Sequence, residues 1–547
     1  MSSVSKNSRR FAATAAGAVA LTLVLTACGS SDDDSADGGS ASGGTLTIGT
    51  TDKVTTLDPA GSYDNGSFAV MNQVYPFLMN TPYGSPDVQP DIAESAEFTA
   101  PTEYTVKLKA GLTWANGHAL TSSDVKFSFD RMVAINDENG PASLLYNLDS
   151  VEAPDDTTVV FHLKSADDQV FPQILSSPAG PIVDEEVFSA DALTSDADIV
   201  DGDAFAGQYV IDSYKLNELV GYTANPDYQG VLGAAKTEKI NVKYYAEASN
   251  LKLDIQQGNI DVAFRSLSAT DIDSLRGDDG VKVVDGPGGE IRYITFNFDT
   301  QPFGAKTSEA DPAKALAVRQ AVADLIDRDE IAEQVYKGTY TPLYSYVPDG
   351  LTGATESLKE LYGDGAGAPD VEKAKQTLAD AGVTAPVTLD LQYSNDHYGP
   401  SSADEYALIK DQLESSGLFT VNLQTTEWVQ YSKDRTADVY PAYQLGWFPD
   451  YSDADNYLTP FFLTENFLGN HYDNGAVNDE ILEQAVTTDP DARTALIEKI
   501  QDDVAADLST VPYLQGAQVA VVGKDVTGTE DTLDASFKFR YGALAKG

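Results

Sequence analysis

The residues able to do chemistry are few, and their spacing argues against most of it. The chain has four histidines, His118, His162, His397 and His471. None forms an HExxH pair or stands beside a cysteine, so no zinc set is written in the sequence. There is no Walker loop. Gly363-Asp364-Gly365-Ala366-Gly367-Ala368 fits GxGxxA, but no strand pattern precedes it, and a loop leading into a helix is expected there. Asp450, Asp453 and Asp455 invite calcium. Counted from Asp453, however, Leu458 stands where an EF-hand needs glycine and Thr464 where it needs glutamate. Carboxylates are too plentiful for a spaced pair to mark a glycosidase. A lipid-anchored hydrolase would need a positioned nucleophile or acid/base pair, and no motif supplies one. The chain therefore reads as a non-enzyme without cofactor or metal.

One residue does carry a chemical signal. Cys28 is the only cysteine. It follows Lys6, Arg9 and Arg10 and an apolar run from Phe11 to Leu25. That run is shorter than the ~20 residues of a membrane-spanning helix and suits a signal h-region. Leu25-Thr26-Ala27-Cys28 resembles a lipobox, in which the cysteine is lipidated after cleavage. A signal peptide over residues 1–27 is expected, then lipidated Cys28 and a Gly/Ser/Asp-rich tether over 28–44. With a single cysteine no intramolecular disulfide is possible, so a large core must hold the fold.

The remaining bulk properties narrow the class. At 547 residues the chain exceeds what one core usually serves, so at least two lobes are expected. A net charge of −50 repels nucleic acid and anionic lipid surfaces. Strand and helix signals alternate from Thr45 onward. Thr45-Leu46-Thr47-Ile48, Tyr104/Val106/Leu108 and Val159/Phe161/Leu163 read as strands. A helix is expected to begin at Asp370, with Val371, Ala374, Leu378 and Ala381 on one face and Gly382 as its left-handed cap. A second runs from Pro312 to Ile326, and Asp327 offers the cap of a third. The class is α/β. No internal repeat and no second membrane-length apolar run is present.

Several blocks together resemble the peptide/oligopeptide/nickel class of ABC-importer solute-binding proteins, extracellular solute-binding family 5. In the family's order they are Leu57-Asp58-Pro59, Asn72–Tyr75, Pro90–Ser95, Lys109–Val125, Val318–Val322 with Ile326–Arg328, Ala374–Gly382 and Gly446–Asp453. The longest contains Trp114, Gly117, Thr121 and Asp124 at the spacing of the family's tryptophan-to-valine signature. The chain departs from the pattern at Ala206-Gly207-Gln208-Tyr209, where relatives have GTGPY. It departs again at Ala454, which stands for a proline.

The resemblance implies a two-lobed periplasmic-binding-protein-like (type II) fold. It places a first lobe over 45–77, an extra subdomain over 78–204, the first lobe again over 205–288, a second lobe over 289–516 and a return over 517–547. Crossings are expected near Val284–Gly289 and Gln515–Val519, where Gly286-Pro287-Gly288-Gly289 suits a hinge. It also implies a monomeric receptor on the outer membrane face that delivers a small solute, a short peptide first, to ABC permease subunits and their ATPases. By the same resemblance Asp450 receives a peptide's α-ammonium, and a buried cation is tolerable only when so paired. Trp447, Phe448 and Tyr451 beside it are expected either to wall the cavity or to pack under it. The family's carboxylate-binding arginine is replaced by Tyr393, leaving Arg292 as the nearest candidate. An oligosaccharide is the alternative solute, with Trp428, Trp447, Tyr393 and Tyr398 as platforms.

Overall fold

The computed structural model describes residues 44–399 and 401–547. Cys28, the expected signal segment and the tether lie outside the described residues.

The alternation of Leu46 and Ile48 with polar neighbours produces the strand Thr45–Thr50, which buries both side chains. It lies inside a seven-stranded first sheet, parallel to Lys239–Tyr244 and to Val262–Phe264. Gln518–Gly523 and Val281–Gly286 extend this sheet antiparallel on one side, and Leu219–Ala224 and Tyr209–Lys215 on the other. The second sheet has six strands, in the order Tyr340–Pro342, Thr510–Gly516, Ile291–Phe296, Ala442–Trp447, Val387–Ser394 and Phe419–Thr426. Ile291–Phe296 and Thr510–Gly516 are buried along their whole length, as expected of central strands covered on both faces. A third sheet of four antiparallel strands, Ala93–Ala100, Glu103–Leu108, Thr158–Leu163 and Leu148–Asp155, carries its own core around Trp114, Phe129 and Phe161. Two lobes and an additional subdomain result. No helix among the described residues is long and apolar enough to cross a membrane.

The chain passes between the large sheets at two places. It leaves the first sheet at Gly286 and enters the second at Ile291; it leaves the second at Gly516 and re-enters the first at Gln518. A Cβ on Gly288 would lie 2.2 Å from the Gly516 carbonyl oxygen, so the two crossing backbones touch. The Gln515 side chain ties them by donating to the Gly288 carbonyl at 2.7 Å. Close approach, not a left-handed backbone, is what requires glycine at this crossing: Gly286, Gly288 and Gly289 all lack positive φ.

The local chemistry of the sequence blocks is largely structural. Asp370 caps the helix Val371–Asp380 by accepting from the Lys373 amide at 3.0 Å, and Gly382 takes φ +70° after it. Asp327 caps Arg328–Gln334 in the same way. Thr121 and Asp124 form the capping box of Ser122–Ile135, with the Asp124 carboxylate accepting from the Thr121 amide at 2.8 Å. Gly117 closes the turn after buried Trp114, its amide donating to the Trp114 carbonyl at 2.9 Å. Gly363, Gly365 and Gly367 form a loop that follows the short helix Ser357–Leu361 rather than a strand, which removes the dinucleotide cradle.

Candidate ligand-binding site

The strand Ala442–Trp447 is buried from Ala442 to Leu445 and emerges at Trp447. Trp447 and, beyond the strand, Asp450 are held by the side chain of one buried residue, Asn456. Its Oδ1 accepts from Trp447 Nε1 and from the Asp450 amide, both at 2.9 Å, and its Nδ2 donates to Asp450 Oδ2 at 3.0 Å. Asp453, not Asp450, caps the following 3-10 turn Ala454–Tyr457, and it pairs through both oxygens with Arg493 at 2.7 and 2.8 Å. Asp450 is thus free of the capping duty that a structural carboxylate would perform here.

A cavity of ≈ 610 Å³ opens between the lobes, within the range of small-ligand pockets. Trp447, Phe448 and Asp450 line it from the second lobe. Tyr63, Phe68 and Asn72 line it from the first, with Arg265 at the end of its strand and Phe537 and Lys538 from the C-terminal segment. The wall is mostly aromatic. Phe264 stacks on Phe539 at 3.9 Å between centroids, and His397 on Trp428 at 3.6 Å and 5°.

Asp52, Asp64, Arg265, Asp450 and Lys538 are the acidic, Arg and Lys side chains of the lining. The half-buried Asp450 carboxylate accepts from the Tyr63 hydroxyl of the opposite lobe and from Asn456, both neutral donors. No Lys, Arg or His among the described residues pairs with it. Burial pushes its carboxyl above the ordinary range, opposed only by those two hydrogen bonds. Arg265 faces Asp52 at 3.8 Å and lies over the Phe537 ring, 4.8 Å from its centroid. Arg265 and Ser266 both hold left-handed φ, +57° and +72°, and the Thr51 amide donating to Ser266 Oγ at 2.9 Å fixes the turn. Such backbone persists where its surroundings over-determine it. Lys538 is buried, its Nζ donates to the Ser176 carbonyl at 2.7 Å, and burial pulls its pKa far down.

Of the residues expected at the site, Asp450, Trp447 and Phe448 line this cavity, as do the platform candidates Trp428 and Tyr398. Tyr451 does not. It turns into the core of the third sheet's subdomain, with its hydroxyl 3.3 Å from Asp455 Oδ2. Tyr393 does not either; it stacks on Tyr406 at 5.6 Å against the second-lobe core. Arg292 is buried beside the cavity, in an adjoining chamber. Tyr63, Arg265, Phe537 and Lys538 escaped sequence reasoning. The alternating aromatic and basic run Phe537-Lys538-Phe539-Arg540-Tyr541 was a signal for the last two, and nothing local marks the others.

The two lobes and the lined cleft between them define a solute-binding protein of the periplasmic type. A family described as bacterial extracellular solute-binding proteins, family 5, middle region, matches residues 87–469, and the chain belongs to that family. A Brucella ovis protein named for peptide binding in an ABC transporter is 30% identical over 369 residues, spanning 64% of this chain and 64% of its own length. The periplasmic oligopeptide-binding protein of Salmonella typhimurium is 26% identical, with 81% of this chain and 82% of that protein covered. Among solved structures, an ABC transporter substrate-binding protein of Listeria monocytogenes superposes with a TM-score of 0.76 at 24% identity, over 92% of this chain and 99% of that one. A Helicobacter pylori periplasmic binding protein in complex with a peptide gives 0.70 at 20% identity, over 92% and 98%.

Proposed function

We propose that the protein captures short peptides, or solutes bearing a peptide-like amine, outside the membrane and hands them as a monomer to ABC permease subunits and their ATPases. The observation that carries this reading is Asp450: a half-buried carboxylate held by two neutral donors and facing an aromatic cavity, with no cation among the described residues paired to it. An α-ammonium would complete it, because a buried charge is stable only when paired and hydrogen-bonded. The family membership and the names of the relatives support the same solute class. Lobe closure is the mechanism, with bending at residues 287–290 and at Ala517, and a solute stabilises the closed state by its differential affinity for it. The test is incubation with a mixture of short peptides and its N-acetylated counterpart, followed by mass spectrometry of what the protein retains. Retention of both alike, or of neither, sinks the reading. An oligosaccharide is the second reading, favoured by the flat His397–Trp428 stack in the cavity wall. Retention of a neutral sugar, insensitive to Asp450, would establish it instead.

The raised pKa of Asp450 gives this reading a pH dependence. The ammonium needs the ionised carboxylate, so a proton competes for the site. Affinity should be flat between the free-protein pKa of Asp450 and the ~8 of a peptide's α-amine, and fall about tenfold per pH unit below the former, with one proton released on binding in that acid limb. Calorimetry across pH in buffers of different ionisation enthalpy measures both. An acid limb that survives Asp450→Asn would assign the proton to another group.

Attachment to the outer face of the membrane through lipid on Cys28 belongs to the same proposal and rests on the lipobox. Cys28→Ser should move the protein from the detergent to the aqueous phase on cell fractionation without altering solute retention. A variant still in the detergent phase would count against the anchor.

A further inference from the structure

The subdomain built on the third sheet is fastened very differently to the two lobes. Buried bonds weld it to the first. Arg540 Nη2 donates to Asn80 Oδ1 at 2.6 Å and to Thr81 Oγ1 at 2.9 Å, and Lys538 Nζ donates to the Ser176 carbonyl at 2.7 Å. Arg131 reaches both carboxylate oxygens of Asp58. Toward the second lobe, a single hydrogen bond among the described residues joins it, from the Gln169 amide to the Ala485 carbonyl at 2.8 Å. The subdomain therefore belongs mechanically to the first lobe, and the second lobe meets it at a small junction.

One side chain plugs that junction. Tyr451 is 7% exposed and is the one buried member of the core around Trp114, Phe129 and Phe161 that the second lobe contributes among the described residues. Ala485 packs against the same core. Both are braced from behind. The Tyr451 hydroxyl donates to Asp455 Oδ2 at 3.3 Å, and Asp455 also accepts from the side chain of Gln484, the residue before Ala485. Beside the plug the two faces part around a crevice of ≈ 510 Å³, with Pro172 and Gln173 on one side and Thr487 and Thr494 on the other.

We propose that Tyr451 is a latch: its ring, seated in the subdomain, holds the lobes together before any solute arrives. It also positions Asp450, the preceding residue, against Tyr63 of the first lobe. Bending at the crossings has to draw an aromatic ring out of an apolar core into water, and that cost arises outside the cavity. The latch raises affinity by raising the fraction of protein that is ready to bind. The proposal rests on lobe closure as the mechanism and not on the peptide as the solute.

The test is hydrogen exchange on the full chain without added solute, read at residue resolution by fragmenting mass spectrometry. The Gln169 amide reports the junction, because its acceptor lies on the other lobe. The neighbouring Val170 amide donates to Asp168 Oδ1 at 2.9 Å and reports the subdomain's own fold. In the wild type Gln169 should be protected at least ~10-fold, as follows when the open state is a minor population of roughly 10% or less. Tyr451→Ala should cut that protection to below about threefold, while Val170 and the strand Thr158–Leu163 keep theirs. Tyr451→Phe should retain it, since the ring is the plug and the hydroxyl bonds within the second lobe. An unprotected Gln169 in the wild type overturns the proposal, as does protection that survives Tyr451→Ala. Where Tyr451→Ala strips Val170 of protection as well, Ala485→Glu decides, because it puts a charge at the junction and leaves the plug in place. Gln169 exchange unchanged by that variant overturns the latch. No solute is used, so a failure of the peptide reading leaves each of these outcomes readable.

Discussion

Asp450→Asn should weaken binding of an amine-bearing solute by ~2–5 kcal/mol, roughly 30- to several-thousand-fold, because it leaves a desolvated ammonium without its counter-ion. The swap keeps the shape of the site. The amide oxygen it introduces can still accept from Tyr63, and only the Asn456 Nδ2 contact at 3.0 Å has to find an oxygen again. The same variant should make the ligand-free protein more stable. Burial raises the Asp450 pKa in the folded state above its unfolded value, so the unfolded chain binds fewer protons and stability rises as pH falls through the raised pKa. At neutral pH the ionised carboxylate is therefore a cost that asparagine removes. Calorimetry with the identified solute and a thermal midpoint without it measure the two effects on one sample. A loss below about threefold in affinity would mean that Asp450 is not the ammonium anchor. For a neutral sugar the loss should stay near the ~0.5–1.5 kcal/mol of an ordinary hydrogen bond.

Arg131→Met should cost ~3–5 kcal/mol of folding stability and leave solute affinity per folded molecule unchanged. Asp58, the aspartate of the Leu57-Asp58-Pro59 block, is 0% exposed and Arg131 3%. The guanidinium meets both carboxylate oxygens, at 2.8 and 2.9 Å, and also donates to the Ser189 and Ala192 carbonyls at 2.8 and 3.0 Å. Asp58 in turn accepts from the Ala60 amide at 3.0 Å and the Thr194 amide at 2.7 Å. The pair thus pins the start of the first lobe to the helix Ser122–Ile135 and to the 189–194 segment. Removing the cation leaves a buried carboxylate with amide donors only, and the penalty is mainly that of the stranded charge. Replacing both partners, with Asp58→Leu added, should therefore recover part of the loss. Denaturant unfolding of the single and double variants measures this. A single-variant cost below about 1 kcal/mol, the level of an exposed ion pair, would show that the site stays wet.

This pair also illustrates what a sequence block can mean. Leu57-Asp58-Pro59 and the run from Trp114 to Val125 carried the family resemblance, yet they build an ion pair, a tight turn and a capping box away from the cavity. The block Gly446–Asp453 does reach it, through Trp447, Phe448 and Asp450.

The sequence by itself determined whatever depends on neighbours along the chain. Period-two alternation set the strands at Thr45–Thr50, Glu103–Leu108 and Thr158–Leu163, and a capping side chain set the start of the helices after Asp327 and Asp370. Of the apolar face expected on the latter, only Ala374 and Leu378 are buried, and Val371 is exposed. The motif order set the family, and through it the choice of Asp450. Only the tertiary structure decided which way loop side chains point and which distant segments meet. Tyr451 follows Asp450 directly, yet the Asn456 bonds turn Asp450 to the cavity while the third sheet's apolar core takes Tyr451. Tyr393 lies on the side of its strand that packs against Tyr406. Arg265, Phe537 and Arg292 come together where the two crossings join the lobes, from segments far apart in the chain. Helical and strand periodicity is local and reports only which face is buried; convergence at a cleft is long-range and is set by how the sheets pack.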